Sequence, residues 1–188
     1  MARTESTMLA LGTAAPDFSL PDVISGRTIS LAQFEGAPGL LVMFLCAHCP
    51  FVQHVETQLG QLGRDYAGRG LGMVAISSND ADAYPQDAPD GLRRQAERNG
   101  FPFPYLFDAT QQVARAYSAA CTPDFFLFDA RRKLVYRGQL DGSRPGNHIP
   151  VDGSDLRAAM DAVLAGRPVN PEQQPSVGCN IKWKQAPA

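Results

Sequence analysis

The stretch that most restricts the fold runs from residue 39 to residue 66, where an apolar run gives way to a helical pattern. Residues 39–45 read GLLVMFL, a continuous apolar run that is typical of a strand buried on both faces. Apolar or aromatic residues then recur every three or four positions, as on one face of a helix: Phe51, Val55, Leu59, Leu62 and Tyr66. Pro50 suits the first turn of that helix, where its missing N–H group costs no hydrogen bond. The sequence therefore predicts a strand that passes directly into a helix, with Cys46 and Cys49 at the junction.

The rest of the chain alternates short apolar runs with helical patterns. Residues 18–34 contain two such runs on either side of a Ser-Gly pair, which indicates a hairpin. The further predicted strands cover residues 72–77, 105–108, 125–129 and 133–139, and the further predicted helices cover residues 90–100, 111–119 and 154–166. This alternation predicts an α/β fold with a mixed central β-sheet flanked by helices.

The two ends of the chain differ in composition from its middle. Residues 1–14 are mostly small and polar, and the sequence predicts a flexible N-terminal arm there. Residues 15–166 hold all of the predicted helices and strands and form the predicted domain. Residues 167–188 are rich in Pro and Gly but end on an apolar segment, so we expect an irregular C-terminal tail that packs on the domain.

Composition and charge argue against several classes of protein. The chain has 188 residues, with 17 basic and 19 acidic side chains and a formal net charge of −2 at pH 7. No run of Lys or Arg indicates binding to nucleic acid or to an anionic membrane. The longest apolar stretch, residues 40–47, is far shorter than the roughly 20 residues that span a bilayer. Because residues 8–11 are too short for a secretory signal, we expect a cytoplasmic protein.

Cys46 and Cys49 form a C-x-x-C pair at the predicted start of the helix. A thiolate there faces unpaired backbone N–H groups and the positive end of the helix dipole, which lower its pKa from about 8.5 to roughly 3.5–7.5. His48 lies between the two cysteines and, when protonated, stabilises the neighbouring thiolate. Such a pair near a βαβ pattern indicates redox chemistry. The alternatives are two structural cysteines or a zinc site, but zinc prefers four ligands in close pairs, and Cys121 and Cys179 each stand alone.

These features resemble the thioredoxin superfamily, in its peroxiredoxin-like branch of AhpC/TSA-type redoxins. The matching segments lie between residues 15 and 166: APDFSL and ISLAQFEG near the N-terminus, CAHC after the first long strand, and CTPDFFLFD before the last hairpin. The resemblance implies a thioredoxin-like fold and thiol–disulfide exchange without a metal or an organic cofactor. It also implies that the Thr122–Pro123 peptide bond is cis and faces the cysteine pair, and that these two residues receive the backbone of the substrate.

The sequence departs from the peroxidase members of that family. Peroxiredoxins carry the pattern P-x-x-x-T-x-x-C. If Cys49 is its cysteine, Cys46 and Val42 stand at the threonine and proline positions, and for Cys46 those positions hold Met43 and Gly39. We therefore predict an oxidoreductase that acts on protein or small-molecule disulfides and is served by a reductant system. A peroxidase in which Cys49 reacts with peroxides and a non-catalytic binding module are the alternatives.

The resemblance also implies an order of reaction for the four cysteines. In similar proteins the first cysteine of the pair is exposed and the second is shielded by the helix, so Cys46 is the expected nucleophile and Cys49 the expected resolving thiol. His48 is expected to tune their pKa values. Cys121 and Cys179 are candidate auxiliary thiols: Cys179 could resolve a mixed disulfide or pair with Cys121, and both could instead be buried and inert.

Overall fold

The computed structural model describes residues 3–185 and centres on a five-stranded mixed sheet. In spatial order its strands are β6 (Tyr105–Phe107), β5 (Gly72–Ser77), β4 (Gly39–Phe44), β8 (Asp124–Asp129) and β9 (Leu134–Tyr136). Strands β4, β5 and β6 run parallel to one another, whereas β8 pairs antiparallel with both β4 and β9. The predicted mixed sheet is confirmed, and its strands fall on the apolar runs of the sequence.

The described residues also form four α-helices, which flank the sheet. They are α1 (Pro50–Ala67), α2 (Pro89–Asn99), α3 (Gln112–Ala116) and α4 (Ser154–Leu164). As predicted, α1 begins at Pro50, directly after the strand β4 and a short junction. None of the described helices combines the length and the apolar character needed to cross a lipid bilayer.

The core lies on both faces of β4. Leu41 and Met43 point to a cluster that includes side chains of α1, α2 and α4, while Val42 and Phe44 point to a second cluster that includes side chains of α3. Successive side chains of a strand point to opposite faces, so a strand covered on both faces needs apolar residues at every position. This explains the unbroken apolar run that precedes Cys46.

Two smaller sheets complete the fold. The predicted N-terminal hairpin is present as β2 (Ser19–Pro21) and β3 (Thr28–Ser30), which pair antiparallel. A three-stranded antiparallel sheet joins both ends of the chain to its middle, in the order β1 (Arg3–Glu5), β10 (Val177–Asn180) and β7 (Cys121–Thr122).

The ends of the chain are more regular than their sequences indicate. The predicted arm over 1–14 and the predicted tail over 167–188 include residues 1–2 and 186–188, which lie outside the described residues. The described part of the predicted arm pairs with β10 through β1, and Gly12 N–H donates to the carbonyl of Leu134. The tail packs on the domain, but part of it is the strand β10 rather than irregular chain. Local patterns do not reveal such strands, because each is paired along its backbone with residues far away in the sequence.

Candidate active site

The two cysteines of the C-x-x-C pair lie where the sequence places them, between β4 and α1. β4 ends at Phe44, and Cys49 is the residue that caps the N-terminus of α1. The first backbone N–H groups of a helix have no partner inside the helix, and they point toward the capping residue. The position of Cys49 therefore gives its sulfur access to hydrogen-bond donors that do not depend on other side chains.

Thr122, which precedes Pro123, lies against both sulfurs. The Thr122–Pro123 peptide bond is cis, as the resemblance implies. Cys46 Sγ is 3.2 Å from Thr122 Oγ1, and either group can donate that hydrogen bond. Cys49 Sγ is 3.3 Å from the carbonyl oxygen of Thr122. The structure thus brings together four of the five residues that the sequence predicts for the site, Cys46, Cys49, Thr122 and Pro123.

Burial of the pair differs from what the sequence predicts. The expectation that Cys46 is exposed is wrong, because both Cys46 and Cys49 are 0% exposed and Thr122 is 2% exposed. Cys46 is drawn into the core by two contacts: its carbonyl accepts a hydrogen bond from the Gln95 side chain, and its sulfur lies against Thr122. Exposure therefore does not indicate which of the two thiols is the nucleophile.

The electrostatic surroundings of the two thiols differ, and they favour ionisation of Cys49. Hydrogen bonds from Cys46, from Cys179 and from the Val52 N–H lower the pKa of Cys49 to about 5, against the opposing effect of burial. The nearby Thr122 carbonyl favours a protonated Cys49, but it is one acceptor against several donors. The pKa of Cys46 is raised well above its ordinary value by its hydrogen bond to Cys49, by burial and by the charge of Asp87. The directions of the two shifts therefore favour a thiolate on Cys49 and a protonated Cys46.

Asp87 anchors the segment between the two cysteines. Its side chain is 0% exposed, and it accepts hydrogen bonds from the backbone N–H groups of Ala47 and His48 at 2.8 and 3.1 Å. The ring nitrogen Nδ1 of His48 lies 2.5 Å from Asp87 Oδ2, and Asn79 donates to the same oxygen. The His48 ring also stacks on Tyr84. Sequence reasoning missed Asp87, since nothing in the YPQDAPD segment distinguishes it from an ordinary loop aspartate.

A metal ion fits this group poorly. Among residues 3–185, the one set of three metal-type ligand atoms within 4.8 Å of one another comes from Cys46, His48 and Asp87. Both oxygens of Asp87 already accept hydrogen bonds from the chain, and a structural zinc ion requires four ligands. The arrangement of these atoms fits hydrogen bonds that hold the chain in place better than it fits a metal site.

The two remaining cysteines occupy neighbouring positions with different contacts. All four cysteines are free thiols. Cys179 in β10 lies opposite Thr122 and forms a hydrogen bond with Cys49, so the backbone edge expected to receive a substrate is already paired with the chain itself. Cys121 lies opposite Asn180, with its sulfur 3.6 Å from the carbonyl of Pro123, and burial raises its pKa. Cys179 thus joins the reacting centre.

Comparison with known proteins identifies the family. The profile of the AhpC/TSA family matches residues 11–137. The chain is similar to an uncharacterized conserved protein from Geobacillus kaustophilus of known structure, with 53% identity, a TM-score of 0.97, and coverage of 100% of this chain and 99% of that chain. It is 29% identical over 131 residues to the thiol-disulfide oxidoreductase ResA of Geobacillus thermodenitrificans, which is 70% of each sequence. A thiol:disulfide interchange protein of the thioredoxin family from Chlorobium tepidum has the same fold, with 21% identity, a TM-score of 0.61, and coverage of 84% of this chain and 97% of that chain. This chain therefore belongs to the AhpC/TSA family of thioredoxin-like redoxins.

Proposed function

We propose that the protein is a thiol–disulfide oxidoreductase that uses Cys46 and Cys49 as a reversible dithiol/disulfide pair. The observation that carries this proposal is the position of the two sulfurs beside the N-terminus of α1, where Cys46 Sγ lies 3.2 Å and Cys49 Sγ 3.3 Å from an oxygen of the same residue, Thr122. Exchange requires a thiolate that attacks and a second thiol within bonding distance that resolves the product. Cys46 and Cys49 supply these two groups, and the opposite shifts of their pKa values favour a thiolate on Cys49 beside a protonated Cys46.

Cys49 is the proposed nucleophile, in place of the Cys46 expected from the resemblance. Its thiolate attacks one sulfur of a substrate disulfide, a Cys49–substrate bond forms, and the other substrate sulfur leaves as a thiolate that takes up a proton. Cys46 then loses its proton and attacks the sulfur of Cys49, and the second substrate thiolate leaves. The substrate disulfide is reduced to two thiols, and the Cys46–Cys49 pair is oxidised to a disulfide.

His48 is the proposed proton acceptor for Cys46. One ligand-type atom each of Cys46, His48 and Asp87 lie within 4.8 Å of one another, so a single water molecule can connect the Cys46 thiol to this group. Asp87 and Tyr84 hold the ring in place, and its Nε2 atom has no hydrogen-bond partner among the described residues. Ala47 and His48 are only partly buried, whereas Cys46 and Cys49 are 0% exposed, so a substrate disulfide reaches the pair when the segment of Ala47 and His48 moves aside.

Mapping of the oxidised cysteines tests this proposal. The reduced protein is treated with oxidised glutathione, quenched in acid, alkylated and digested without reduction. We expect a Cys46–Cys49 disulfide in the wild-type protein and no dithiothreitol-driven reduction of insulin by Cys49→Ser. Cys121→Ala, which removes a thiol outside the pair, is the control and should keep its activity. Undiminished insulin reduction by Cys49→Ser would contradict the proposal.

Peroxide reduction is a second candidate, and the lowered pKa of Cys49 favours it. In that reaction the Cys49 thiolate attacks a peroxide oxygen, an alcohol or water leaves, and the resulting sulfenic acid condenses with the Cys46 thiol to give a disulfide and water. A dithiol reductant must then restore the pair. A hydroperoxide turnover assay decides between the two: rapid turnover that Cys49→Ser abolishes, with negligible exchange of protein disulfides, would support the peroxidase.

A further inference from the structure

Cys179 contacts the same sulfur that the proposed chemistry uses. It lies in β10 opposite Thr122, is 3% exposed, and belongs to the apolar cluster that contains both Cys46 and Cys49. Cys49 Sγ lies 3.3 Å from the carbonyl oxygen of Thr122, the residue opposite Cys179, and the side chain and backbone of Cys179 both lower the pKa of Cys49. Cys49 therefore has a thiol neighbour on each side, one from the C-x-x-C pair and one from the C-terminal strand.

The chain holds Cys179 firmly in this position. On one side, Ser176 Oγ donates to the carbonyl of Pro123 at 2.6 Å. On the other side, Lys182 N–H donates to Asn79 Oδ1 at 2.8 Å, and the Gln111 side chain donates to the Lys182 carbonyl at 2.8 Å. Between them Gly178 packs so closely that an added Cβ atom would lie 1.9 Å from the Thr122 oxygen. These contacts fix the strand on both sides of Cys179, so its approach to Cys49 is part of the fold.

The redox state of Cys49 controls how readily Cys179 ionises. Burial raises the pKa of Cys179 to about 12, together with its hydrogen bond to Cys49 and the charge of the Cys49 thiolate. When Cys49 is joined to another sulfur it carries no charge and accepts no such hydrogen bond, so two of these three effects disappear. Cys179 is therefore held protonated beside a reduced Cys49 and becomes easier to ionise when Cys49 is a target for attack.

We infer that Cys179 is a third redox thiol, which exchanges with Cys49 inside the folded protein. This inference rests on the proposed function, because it requires Cys49 to form disulfides. From the Cys46–Cys49 disulfide, the Cys179 sulfur attacks Cys49, the Cys49–Cys179 bond forms, and Cys46 leaves as a thiolate that takes up the proton lost by Cys179. No electrons are gained or lost overall. From a mixed disulfide of Cys49 with a substrate, the same attack releases the substrate as a thiol.

The experiment removes Cys46, so that Cys179 is the remaining thiol in contact with Cys49. Reduced Cys46→Ser protein is treated with oxidised glutathione, and the glutathione adduct is followed by intact-mass spectrometry and non-reducing peptide mapping. We expect the adduct on Cys49 to decay into a Cys49–Cys179 disulfide. The adduct should last at least about tenfold longer in Cys46→Ser/Cys179→Ser, because an intramolecular thiol acts at a high effective concentration. Cys46→Ser/Cys121→Ala is the matched control and should still form the Cys49–Cys179 disulfide.

The outcomes separate this inference from the proposed function. Equal adduct lifetimes with and without Cys179, or a Cys49–Cys121 disulfide in place of Cys49–Cys179, would overturn the inference while leaving the Cys46–Cys49 pair intact. Failure of the wild-type protein to form any disulfide with Cys49 would instead overturn the proposed function. Circular dichroism of each variant verifies that it is folded. Should the double variant unfold, the mapping of Cys46→Ser alone decides, because it needs only one substitution.

Discussion

Replacement of Gly178 by alanine should push β10 away from the reacting centre. The added Cβ atom would lie 1.9 Å from the carbonyl oxygen of Thr122 and 2.5 Å from its carbon, and both are backbone atoms that cannot rotate away. Ordinary van der Waals contact begins near 3.4 Å, so the strand has to retreat by about 1.5 Å. The hydrogen bond of Ile181 N–H to the Ala120 carbonyl, now 3.1 Å long, would then exceed the range of hydrogen bonds.

The cost follows from overpacking and from the lost backbone pairing. Overpacking costs typically about 1–3 kcal/mol, and each lost hydrogen bond adds about 1 kcal/mol. We expect Gly178→Ala to lower the free energy of unfolding by about 3 kcal/mol, which corresponds to a Tm lower by roughly 6–12 °C in a chain of this size. Because Cys179 moves with the strand, Cys49 also loses two of the donors that lower its pKa, and that pKa should rise.

Urea unfolding of the reduced protein measures the first effect, and the pH dependence of thiolate absorbance measures the second. Gly68→Ala is the matched control: Gly68 ends α1 with a φ of −82°, and an added Cβ atom there meets nothing within 4 Å. That variant should stay within about 0.5 kcal/mol of wild type. If Gly178→Ala matched wild type in both stability and thiol titration, the close approach of β10 to Thr122 would not matter, and the reasoning would be refuted.

Three further predictions concern charge. The folded pKa of Cys49 is about 5 against an ordinary value of 9.0, so its thiolate contributes stability that is complete above pH 9 and is lost as the pH falls toward 5. Urea titrations of the reduced protein and of its disulfide form give two free energies of unfolding. Their difference, reduced minus disulfide, should increase as the pH is raised from about 5 to 9. A difference that does not change with pH would contradict a Cys49 thiolate. Burial raises the pKa of Asp124 from about 4 in the unfolded chain to about 7 in the folded protein. The wild-type protein therefore loses stability as the pH rises from about 4 through about 7. Asp124→Asn lacks this loss, and its stability relative to wild type should be greater at pH 8 than at pH 5, whereas a constant difference would count against the buried carboxyl. Asp87→Ala removes the acceptor of several buried hydrogen bonds and should lower the free energy of unfolding in urea by about 3 kcal/mol. It should also lower the pKa of Cys46, which is measured from the pH dependence of its alkylation rate. The control is Asp90→Ala, which removes an exposed ion pair and should change the free energy of unfolding by no more than about 0.5 kcal/mol. Equal stability of the two variants would show that Asp87 does not hold this segment in place.

Much of the fold could be predicted because its signals are local. The run over residues 39–45 and the helical spacing after Cys49 are properties of neighbouring residues, and they predicted β4, α1 and the junction between them. The order of reaction could not be predicted in the same way. Exposure of Cys46 was expected from related proteins, but it depends on what covers the site, here Gln95 from α2 and Thr122 from β7.

By itself, the sequence determined that a C-x-x-C pair would stand at the start of a helix, since periodicity and turn chemistry act over a few residues. Only the tertiary structure decided what surrounds the two sulfurs and in which direction the pKa of each is shifted. Cys179 reaches Cys49, and Asp87 reaches His48, through backbone pairing and hydrogen bonds between segments far apart in the chain. The pKa of a buried thiol depends on the donors and charges within a few ångströms, whatever their distance along the sequence. The chemistry of the pair is therefore set by contacts that form only when the chain has folded.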